Sequence, residues 1–433
     1  MKTVHIGIIG FGTVGAGVAE ALLKNSELIA KRTGFLPKLT LIADLDTTTD
    51  RGVKLPDGML INDAKKLTDS PDIDIVVELV GGTTFAKDII LRALRNGKHV
   101  VTANKALIAT YGKELFEEAS KQNLDIGFEA SVGGGIPCIK AIREGLAGNH
   151  INSMLGILNG TCNYILSKME TDKEDFEKVL SDAQKAGYAE ANPALDVDGI
   201  DTSHKAAILA SLAYGQWFTA KDVHTEGIRS VTTTDIETAA ELGYRIKLLA
   251  VIKEINSRIQ LGVHPTLVST KSLLGNVNGV FNAVWADGDV VGKTMYYGRG
   301  AGRQATASAV VADLVDIGLN IVNGCHRRIP AFPVYDEYQG LTDASEITSR
   351  FYIRLHSADR PGVLAKISAI LGARGISLAS VTQKETEADS QYASVILLTH
   401  KANAQSMEEA MKELAKLEEI TATPVVFRIE DAI

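Results

Sequence analysis

The richest run of ionisable side chains in this 433-residue sequence spans residues 187–205, where four carboxylates precede one lysine. If a helix begins at Asp201 or Thr202, Asp201 and Lys205 fall one turn apart on one face, so the carboxylate can orient the ammonium group as acid–base chemistry requires. The same spacing also fits a capped helix with a surface ion pair. His204 projects about 100° away from Lys205 on such a helix, so we expect it to be structural.

A glycine-rich turn, Gly10-Phe11-Gly12-Thr13-Val14-Gly15, follows an apolar run and precedes apolar residues at helical spacing. Glycine at its three positions permits a tight turn, close approach of a pyrophosphate and close packing of a helix on a sheet. Backbone amides at the start of the helix attract phosphate groups. Because the motif stands between a strand and a helix, we predict that all six residues bind a dinucleotide; the alternative is an ordinary glycine turn.

Asp44 ends the second apolar run, where its carboxylate can accept hydrogen bonds from an adenosine ribose. Its distance from Gly15 exceeds the usual spacing of roughly 20 residues, so this assignment requires a longer first crossover. The alternative is a solvated carboxylate at a strand end. A carboxylate here repels a ribose 2′-phosphate, so we predict a preference for NAD over NADP, which Arg51 and Lys54 are placed to offset.

Lys105 directly follows the fourth predicted strand. In a parallel sheet this position opens onto the crevice at the carboxyl ends of the strands, where the nicotinamide ring is expected. Position alone favours the alternative, a surface lysine whose aliphatic stem packs along the protein. The histidines show no metal-ligand spacing, and the sequence has no nucleophile elbow, P-loop or zinc motif.

The elements that must position these groups alternate between strand and helix at the start of the chain. Apolar patterning predicts strands at 4–9, 39–43, 73–80 and 99–101, and helices at 86–95 and 107–122. This alternation predicts an α/β fold with a doubly wound parallel sheet of the Rossmann type. We expect residues 1–130 to form this NAD(P)-binding domain, completed by a returning helix near 303–320.

The alternation loosens after residue 130. Strands are predicted at 151–158, 261–268, 279–285 and 289–295, and helices at 175–186, 202–214, 236–248 and 305–317. We expect an α+β substrate-binding and dimerisation domain over residues 131–302.

The final part of the chain forms a third predicted domain. Proline, glycine and polar residues over 326–347 are typical of a linker. Beyond it the patterning predicts a strand at 351–355, helices at 363–373 and 407–417, and strands at 393–399 and 425–429. We interpret this as the βαββαβ order of a ferredoxin-like domain over residues 348–433.

Composition limits the class of protein. The sequence is 45% hydrophobic and 23% charged, which disfavours disorder, collagen and coiled coil. Its net charge of -8 disfavours nucleic-acid partners, and its three scattered cysteines indicate a reducing compartment. No signal segment is recognised, and the longest uncharged stretch, residues 147–167, is too polar for a membrane span. We therefore expect a cytoplasmic protein that binds neither membrane nor nucleic acid.

Five blocks of the sequence resemble the homoserine dehydrogenase family, and the resemblance covers roughly residues 1–325. The blocks are the glycine-rich turn, Thr102-Ala103-Asn104-Lys105-Ala106-Leu107, residues 156–166, residues 187–205 and Tyr297-Gly298-Arg299-Gly300-Ala301-Gly302. The tail, with its turn Asp359-Arg360-Pro361-Gly362, resembles an ACT domain, a small-molecule sensing module.

The resemblance implies reversible NAD(P)-dependent reduction of L-aspartate 4-semialdehyde to L-homoserine, on the route to threonine, methionine and isoleucine. By matched position, Lys205 donates a proton to the aldehyde oxygen and Lys105 is a second catalytic lysine that contacts substrate and cofactor. Asp201 supports Lys205, while Glu190, with Asp196, binds the substrate and holds its ammonium group. The chemistry agrees, because a developing alkoxide needs a cationic donor and an amino acid needs a carboxylate partner.

The resemblance also implies further binding residues. A monovalent cation, sodium, is expected on the backbone carbonyls of Glu129, Val132, Gly134 and Ile136; the alternative is an ordinary glycine-rich loop. Thr102 and Gly302 are expected to contact the cofactor.

For the tail, the resemblance implies an amino-acid effector, threonine, at the turn; the alternative is a module that only dimerises the chain. We expect a homodimer or homotetramer. Two rival functions are a dehydrogenase of a related amino-acid semialdehyde and a catalytically inactive amino-acid sensor. Glu190 and the block 196–205 argue against the first, and the presence of Lys105, Glu190 and Lys205 argues against the second.

Overall fold

The computed structural model describes residues 1–334, 338–383 and 391–431, so residues 335–337 of the predicted linker and 384–390 and 432–433 of the predicted C-terminal domain lie outside the described residues. The strands are β1 (Lys2–Ile9), β2 (Phe35–Ala43), β3 (Leu60–Ile61), β4 (Ile75–Glu78), β5 (His99–Thr102), β6 (Ile126–Gly127), β7 (Ile151–Ile157), β8 (His224–Thr225), β9 (Tyr244–Ile255), β10 (Arg258–Ser269), β11 (Phe281–Gly288), β12 (Gly292–Arg299), β13 (Thr348–Ala358), β14 (Leu378–Gln383), β15 (Tyr392–Thr399), β16 (Ala402–Asn403) and β17 (Val425–Glu430). The helices are α1 (Thr13–Thr33), α2 (Ala64–Asp69), α3 (Thr84–Arg95), α4 (Lys105–Lys121), α5 (Cys138–Lys140), α6 (Gly160–Asp172), α7 (Phe176–Lys185), α8 (Ala194–Val197), α9 (Ile200–Tyr214), α10 (Thr233–Glu241), α11 (Arg303–Asn323), α12 (Val363–Ala373) and α13 (Ala404–Leu414).

The chain forms two compact units. Among the described residues, the first unit contains 1–160, 201–223 and 280–334. Its centre is a six-stranded parallel sheet in the order β3-β2-β1-β4-β5-β6. Alternate residues of a strand point to opposite faces, so Ile6 and Ile8 pack under α1 and α11 while Ile9 packs under α3 and α4. Both faces are covered, as a parallel sheet requires, and the predicted doubly wound fold is confirmed.

Helix α11 is long and apolar enough, by length and composition, to cross a membrane, and the sequence patterning gave no indication of this. Its apolar residues Ala307, Val310, Leu314 and Ile317 are buried in the core that also contains α1. Burial against the sheet and α1 thus accounts for the apolar composition of this helix.

The first unit also contains an antiparallel ribbon in the order β12-β11-β7. The predicted strand at 289–295 is wrong in its first half, because β12 begins only at Gly292, which has a φ of 71°. Residues 289–291 instead form the turn of the β11–β12 hairpin, in which the N–H groups of Val290 and Val291 donate to the side chain of Asn149.

The second unit contains residues 161–200 and 224–279 and the C-terminal part of the chain. Strands β9 and β10 form a long antiparallel hairpin, and β10 pairs in parallel with β17. Strand β17 continues into an antiparallel sheet with β13, β15 and β14, against which α12 and α13 pack. The predicted βαββαβ domain is therefore confirmed.

The helix predicted over 236–248 is wrong in its second half. Helix α10 ends at Glu241, Gly243 adopts the left-handed conformation with a φ of 82°, and β9 begins at Tyr244. Seven consecutive residues of β9, 246–252, are buried, so the segment carries no alternation that would distinguish a buried strand from a buried helix.

Candidate active site

The glycine-rich turn connects the carboxyl end of β1 to α1. A Cβ atom on Gly15 would lie 2.0 Å from the carbonyl oxygen of Gly10, and one on Gly10 would lie 2.6 Å from the backbone of Leu79. Gly12 differs, because a Cβ atom there would meet nothing among the described residues within 4 Å. Two glycines are therefore needed for packing of the turn, whereas Gly12 keeps the surface above it open.

The first turn of α1 presents backbone donors on that open surface. Gly12 is the N-cap, no side chain in the described part of the chain caps the helix, and its first turn, which begins with Thr13 and Val14, has no acidic residue. The partial positive charge of a helix N-terminus favours an anion at this position. The Phe11 side chain is buried in the core, so only its backbone faces the turn. These residues fit the pyrophosphate of a dinucleotide.

Asp44 follows β2 and lies beside this turn. Its Oδ2 accepts a hydrogen bond from the backbone N–H of Phe11 at 2.5 Å, and its Oδ1 accepts one from the N–H of Asp46 at 2.9 Å. Arg51 is paired with Asp46 at 2.9 Å, while Lys54 is exposed. The structure thus places a carboxylate at the glycine-rich turn and the nearby guanidinium on another acid.

Gly302 is the N-cap of α11, with a φ of 112° that favours glycine. The next residue, Arg303, pairs with Glu20 of α1 at 3.2 Å and donates to the backbone carbonyl of Arg51 at 3.2 Å. These contacts hold the start of α11 against the dinucleotide-binding part of the unit.

Lys105, Asp201 and Lys205 come together in the first unit. Lys105 begins α4 after the carboxyl end of β5, and its Nζ lies 3.0 Å from Asp201 Oδ1. Lys205 Nζ lies 2.6 Å from Asp201 Oδ2 and 2.6 Å from the carbonyl oxygen of Leu158. The side-chain amide of Asn159 donates to Asp201 Oδ2 at 2.9 Å. One carboxylate therefore holds two ammonium groups and an amide.

This lysine–carboxylate cluster is mostly buried. Asp201 and Lys205 are each 8% exposed, so they are not the surface ion pair of the alternative interpretation. Burial opposes ionisation of Asp201, yet the charges of Lys205 and Lys105 and the hydrogen bonds from Lys205 and Asn159 lower its pKa below the usual value. Asp201 therefore stays ionised near neutral pH. Two of the three Lys205 hydrogens are engaged, which leaves the third for a ligand.

Thr102 and two residues that sequence reasoning missed hold the start of α4. The Thr102 hydroxyl donates to Glu78 Oε2 at 2.7 Å in a fully buried contact, and burial raises the pKa of Glu78. Asn104 caps α4 by accepting the N–H of Leu107 at 3.1 Å. Asn104 and Asn159 both lie inside sequence blocks that had been recognised, whereas nothing in the sequence marks Glu78. The Thr102 side chain is thus occupied within the sheet.

Glu190 and Asp196 belong to the second unit. The Glu190 side chain is exposed, and Asp196 lies in α8, where its carbonyl accepts the thiol hydrogen of Cys162 at 3.2 Å. Nearby, the Thr161 hydroxyl donates to the carbonyl of Tyr188 at 2.8 Å. Backbone contacts to α6 thus fasten the segment that carries both carboxylates.

Three of the four carbonyls predicted to bind a cation accept one hydrogen bond each within the loop. The carbonyl of Glu129 accepts the N–H of Val132 at 3.4 Å, and the carbonyl of Val132 accepts the Cys138 thiol at 3.3 Å. The carbonyl of Ile136 accepts the N–H of Cys138 at 2.8 Å. A carbonyl oxygen has two lone pairs, so each retains one for a hard cation. The donor set fits such an ion.

Glycine, the buried Glu129 and the partly buried Asp313 shape this loop. Gly134 has a φ of 55°, and a Cβ atom on it would lie 2.3 Å from the carbonyl oxygen of Gly300. The Glu129 carboxylate accepts the N–H groups of residues 139–140 at 2.9 and 2.8 Å, and its own N–H donates to Asp313 Oδ2 at 2.8 Å. Burial, together with the nearby Glu129, raises the pKa of Asp313 to about 8. These hydrogen bonds hold both the backbone and the side chain of Glu129 at the start of the loop.

In the second unit, the turn before α12 borders a cavity of about 350 Å³, lined in part by Asp359, Arg360, Gly362 and Gln383. The Gln383 amide donates to Asp359 at 2.9 Å. Arg360 pairs with Glu419 at 3.0 Å, so the turn is tied to the segment that precedes β17. The cavity is of a size that admits a small molecule.

Three family models match the chain. They are described as homoserine dehydrogenase, over residues 137–315; homoserine dehydrogenase, NAD binding domain, over residues 10–129; and ACT domain, over residues 351–419. Among curated relatives, homoserine dehydrogenase from Pseudomonas aeruginosa is 44% identical and that from Neisseria gonorrhoeae 43% identical, each match covering 99% of both chains.

Solved structures give the same result. A homoserine dehydrogenase crystal structure from Thiobacillus denitrificans is 42% identical, has a TM-score of 0.93, and is matched over 100% of this chain and 99% of that one. A hyperthermophilic archaeal homoserine dehydrogenase in complex with NADPH is 28% identical with a TM-score of 0.62, over 73% of this chain and 98% of that one. The full-length matches and the agreement of all three family models show that the chain belongs to the homoserine dehydrogenase family of NAD(P)-dependent oxidoreductases and carries a C-terminal ACT domain.

Proposed function

We propose that the homoserine dehydrogenase reaction of this chain, reversible reduction of L-aspartate 4-semialdehyde to L-homoserine, takes place at the lysine–carboxylate cluster. The observation that carries this assignment is the single buried carboxylate, Asp201, that holds two ammonium groups beside the carboxyl end of a parallel sheet. In open α/β sheets, ligands bind in the crevice at this end of the strands.

Lys205 acts as the proton donor. The nicotinamide cofactor supplies the hydride when it is bound at the glycine-rich turn. As negative charge develops on the aldehyde oxygen, Lys205 donates its third hydrogen to that oxygen, because Asp201 and the carbonyl of Leu158 hold the other two. Lys105 supplies a second positive charge toward substrate and cofactor. In the oxidation direction, Lys205 takes the proton back from the hydroxyl group.

Glu190 holds the ammonium group of the amino-acid substrate, and Asp196 supports the same site. The Glu190 side chain is exposed, and no cationic side chain among the described residues pairs with its carboxylate, so this carboxylate is available to a ligand. Glu190→Ala should raise the homoserine KM roughly 10- to 100-fold, since a hydrogen bond to a charged group contributes about 1.5–3 kcal/mol. Glu177→Ala, an exposed glutamate on α7, is the matched control. An unchanged KM would argue against this role.

NAD is the preferred cofactor. The Asp44 carboxylate lies at the glycine-rich turn, where it would accept a hydrogen bond from a ribose hydroxyl and would repel a 2′-phosphate. Arg51 is paired with Asp46 and is therefore less free to bind such a phosphate. An archaeal relative is described in complex with NADPH, so kcat/KM must be measured with both cofactors. A much higher kcat/KM with NADPH would reject the preference.

Sodium binds the backbone carbonyls of Glu129, Val132, Gly134 and Ile136, and supports the active conformation of this loop. The donors are neutral oxygens, which suit a hard monovalent cation. Replacement of sodium by a bulky organic cation at constant ionic strength should lower activity, and equal activity in both salts would contradict this site.

Threonine, as product of the route that homoserine feeds, is the proposed effector at the cavity beside Arg360 and Gly362 in the ACT domain. We also propose a homodimer or homotetramer, a cytoplasmic location, and the domain boundaries 1–130, 131–302 and 348–433 with a linker at 326–347. If threonine changes neither activity nor melting temperature, regulation by this amino acid fails.

The test of the whole proposal is oxidation of NADH and of NADPH by L-aspartate 4-semialdehyde, in parallel, with and without threonine. Turnover faster with NADH and dependent on Lys205 is expected. Absence of turnover with either cofactor would favour an inactive amino-acid sensor, and turnover only with another semialdehyde would favour the related dehydrogenase.

A further inference from the structure

Two histidines and an aspartate that are far apart in the sequence meet at the amino-terminal edge of the parallel sheet. His99 is the first residue of β5, Asp125 immediately precedes β6, and His326 follows the end of α11. Strands β5 and β6 pair in parallel, with Val100 opposite Ile126, which brings His99 and Asp125 side by side. Lys105 follows the other end of β5, so this His–Asp–His cluster lies at the opposite edge of the sheet from the catalytic lysine.

The spacing of the three side chains matches that of metal ligands. His99 Nδ1 and His326 Nδ1 lie 3.5 and 3.7 Å from the same oxygen, Asp125 Oδ2, and one donor atom from each residue lies within 4.8 Å of the others. Bonds of about 2.0–2.2 Å in a tetrahedral zinc site place ligand atoms roughly 3.3–3.5 Å apart. Both nitrogen–oxygen distances are already close to this value, so metal binding requires the two rings to approach each other and His99 Nδ1 to release the N–H of Asp125.

The surroundings hold the aspartate in place and leave one imidazole nitrogen open. Asp125 Oδ1 accepts the N–H of Arg327 at 2.9 Å, and Oδ2 accepts the side-chain amide of Asn320 at 3.2 Å, contacts that orient a ligating carboxylate. His326 Nδ1 is buried and has no hydrogen-bond partner in the described part of the chain. His99 Nδ1 accepts the N–H of Asp125 at 3.0 Å, so an ion at this nitrogen would have to displace that contact.

An entry path exists. Asp125, Asn320 and Arg327 line a cavity of about 590 Å³ in the same unit. The side chain of His326 is 25% exposed and that of His99 is 7% exposed, so solvent reaches the cluster on the side of His326. An ion can therefore reach the cluster from solvent without disruption of the sheet.

We infer that His99, Asp125 and His326 form a binding site for a divalent first-row transition metal ion such as Zn²⁺ or Co²⁺. Two imidazoles and one carboxylate are ligands of intermediate softness that suit these ions better than Mg²⁺ or Ca²⁺. Three protein ligands leave a fourth position for water. The bound ion fastens the segment after α11 to the edge of the sheet, at a distance from the chemistry of the lysine–carboxylate cluster.

The test uses the full-length, untagged protein after removal of metal with a chelator. Co²⁺ is titrated and its visible absorption recorded, because a tetrahedral site with nitrogen ligands gives strong bands, and Zn²⁺ is then added as a competitor. One Co²⁺ per chain, displaced by Zn²⁺, is expected. His326→Ala and Asp125→Asn should each weaken the affinity at least tenfold, while His150→Ala, at an exposed histidine, should leave it unchanged.

Melting temperatures distinguish loss of the metal site from loss of the fold in these variants. If His326→Ala melts as the wild type does without metal but loses the metal-dependent rise in melting temperature, the site is supported. No Co²⁺ spectrum at millimolar metal, or equal affinity in wild type and His326→Ala, would overturn it and leave an ordinary hydrogen-bonded cluster.

Discussion

Replacement of Lys205 by methionine should remove the proposed proton donor and leave the fold in place. Methionine has a similar length but no hydrogen to donate, so the contacts to Asp201 and to the Leu158 carbonyl, both 2.6 Å, are lost together. Asp201 keeps Lys105 at 3.0 Å and Asn159 at 2.9 Å. The carboxylate is therefore not left as an isolated buried charge.

The turnover number and the stability of Lys205→Met should both fall, so each is measured separately. At an effective dielectric constant of 20, two charges 2.6 Å apart attract by about 6 kcal/mol, but dehydration offsets much of this attraction. Loss of one partner from a buried pair costs about 3–5 kcal/mol, and the remaining lysine places Lys205→Met near the lower value. Loss of a general acid lowers kcat by roughly 10² to 10⁴. Lys205 lies outside the glycine-rich turn, so the loss of kcat should exceed any effect on NADH binding.

The assay compares kcat for aspartate semialdehyde reduction, the Kd of NADH by fluorescence, and the melting temperature. Lys121→Met, at an exposed lysine of α4, is the control for loss of a positive charge. We expect Lys205→Met to bind NADH nearly as the wild type does. Wild-type turnover would remove Lys205 from the mechanism, and loss of NADH binding together with activity would indicate a structural role instead.

Two further results are expected. Gly12→Ala should change stability by less than about 0.5 kcal/mol yet weaken NADH binding about tenfold. Gly15→Ala places a Cβ atom 2.0 Å from the Gly10 carbonyl oxygen and should destabilise the fold by roughly 1–3 kcal/mol. Identical melting temperatures of the two variants would contradict this prediction. Burial lowers the pKa of Lys247 to about 8, below its value of about 10.4 in the unfolded chain. The unfolded state then binds more protons between these values, so stability should rise by up to about 3 kcal/mol from pH 8 to pH 10.4. Lys247→Met should lose this rise in urea unfolding, and an equal rise in both proteins would refute the assignment.

The elements that the sequence predicted well are those bounded by glycine residues. Glycines mark the end of β1, and helix α12 matches its predicted range of 363–373. The junction of α10 and β9 was misassigned although Gly243 stands between them, because the buried run 246–252 is equally apolar in either conformation. Only pairing with β10, which depends on tertiary structure, decides in favour of a strand.

In the site, too, the sequence predicted local contacts and missed contacts between distant segments. The four-residue spacing of Asp201 and Lys205 suggested a shared helix face, and the structure places them in contact. Asn159, 42 residues from Asp201, joins them only through the fold, as do the far-separated ligands of the His–Asp–His cluster. Sequence spacing reveals local pairs, whereas partners from different strands and helices become visible only when the sheet is assembled.

The charges around Asp201 explain why one carboxylate serves two lysines. Oδ1 contacts Lys105, while Oδ2 accepts from Lys205 and Asn159, so rotation of the carboxylate would break all three contacts. Two ammonium groups around one carboxylate give the cluster a net charge of plus one, which in the proposed mechanism faces the substrate oxygen that gains negative charge. Glu78, another buried carboxyl at the same end of the sheet, has a pKa raised by burial and bonds to a hydroxyl instead of a lysine. The raised pKa favours the neutral form of Glu78, which attracts the lysine ammonium groups less than an ionised carboxylate would.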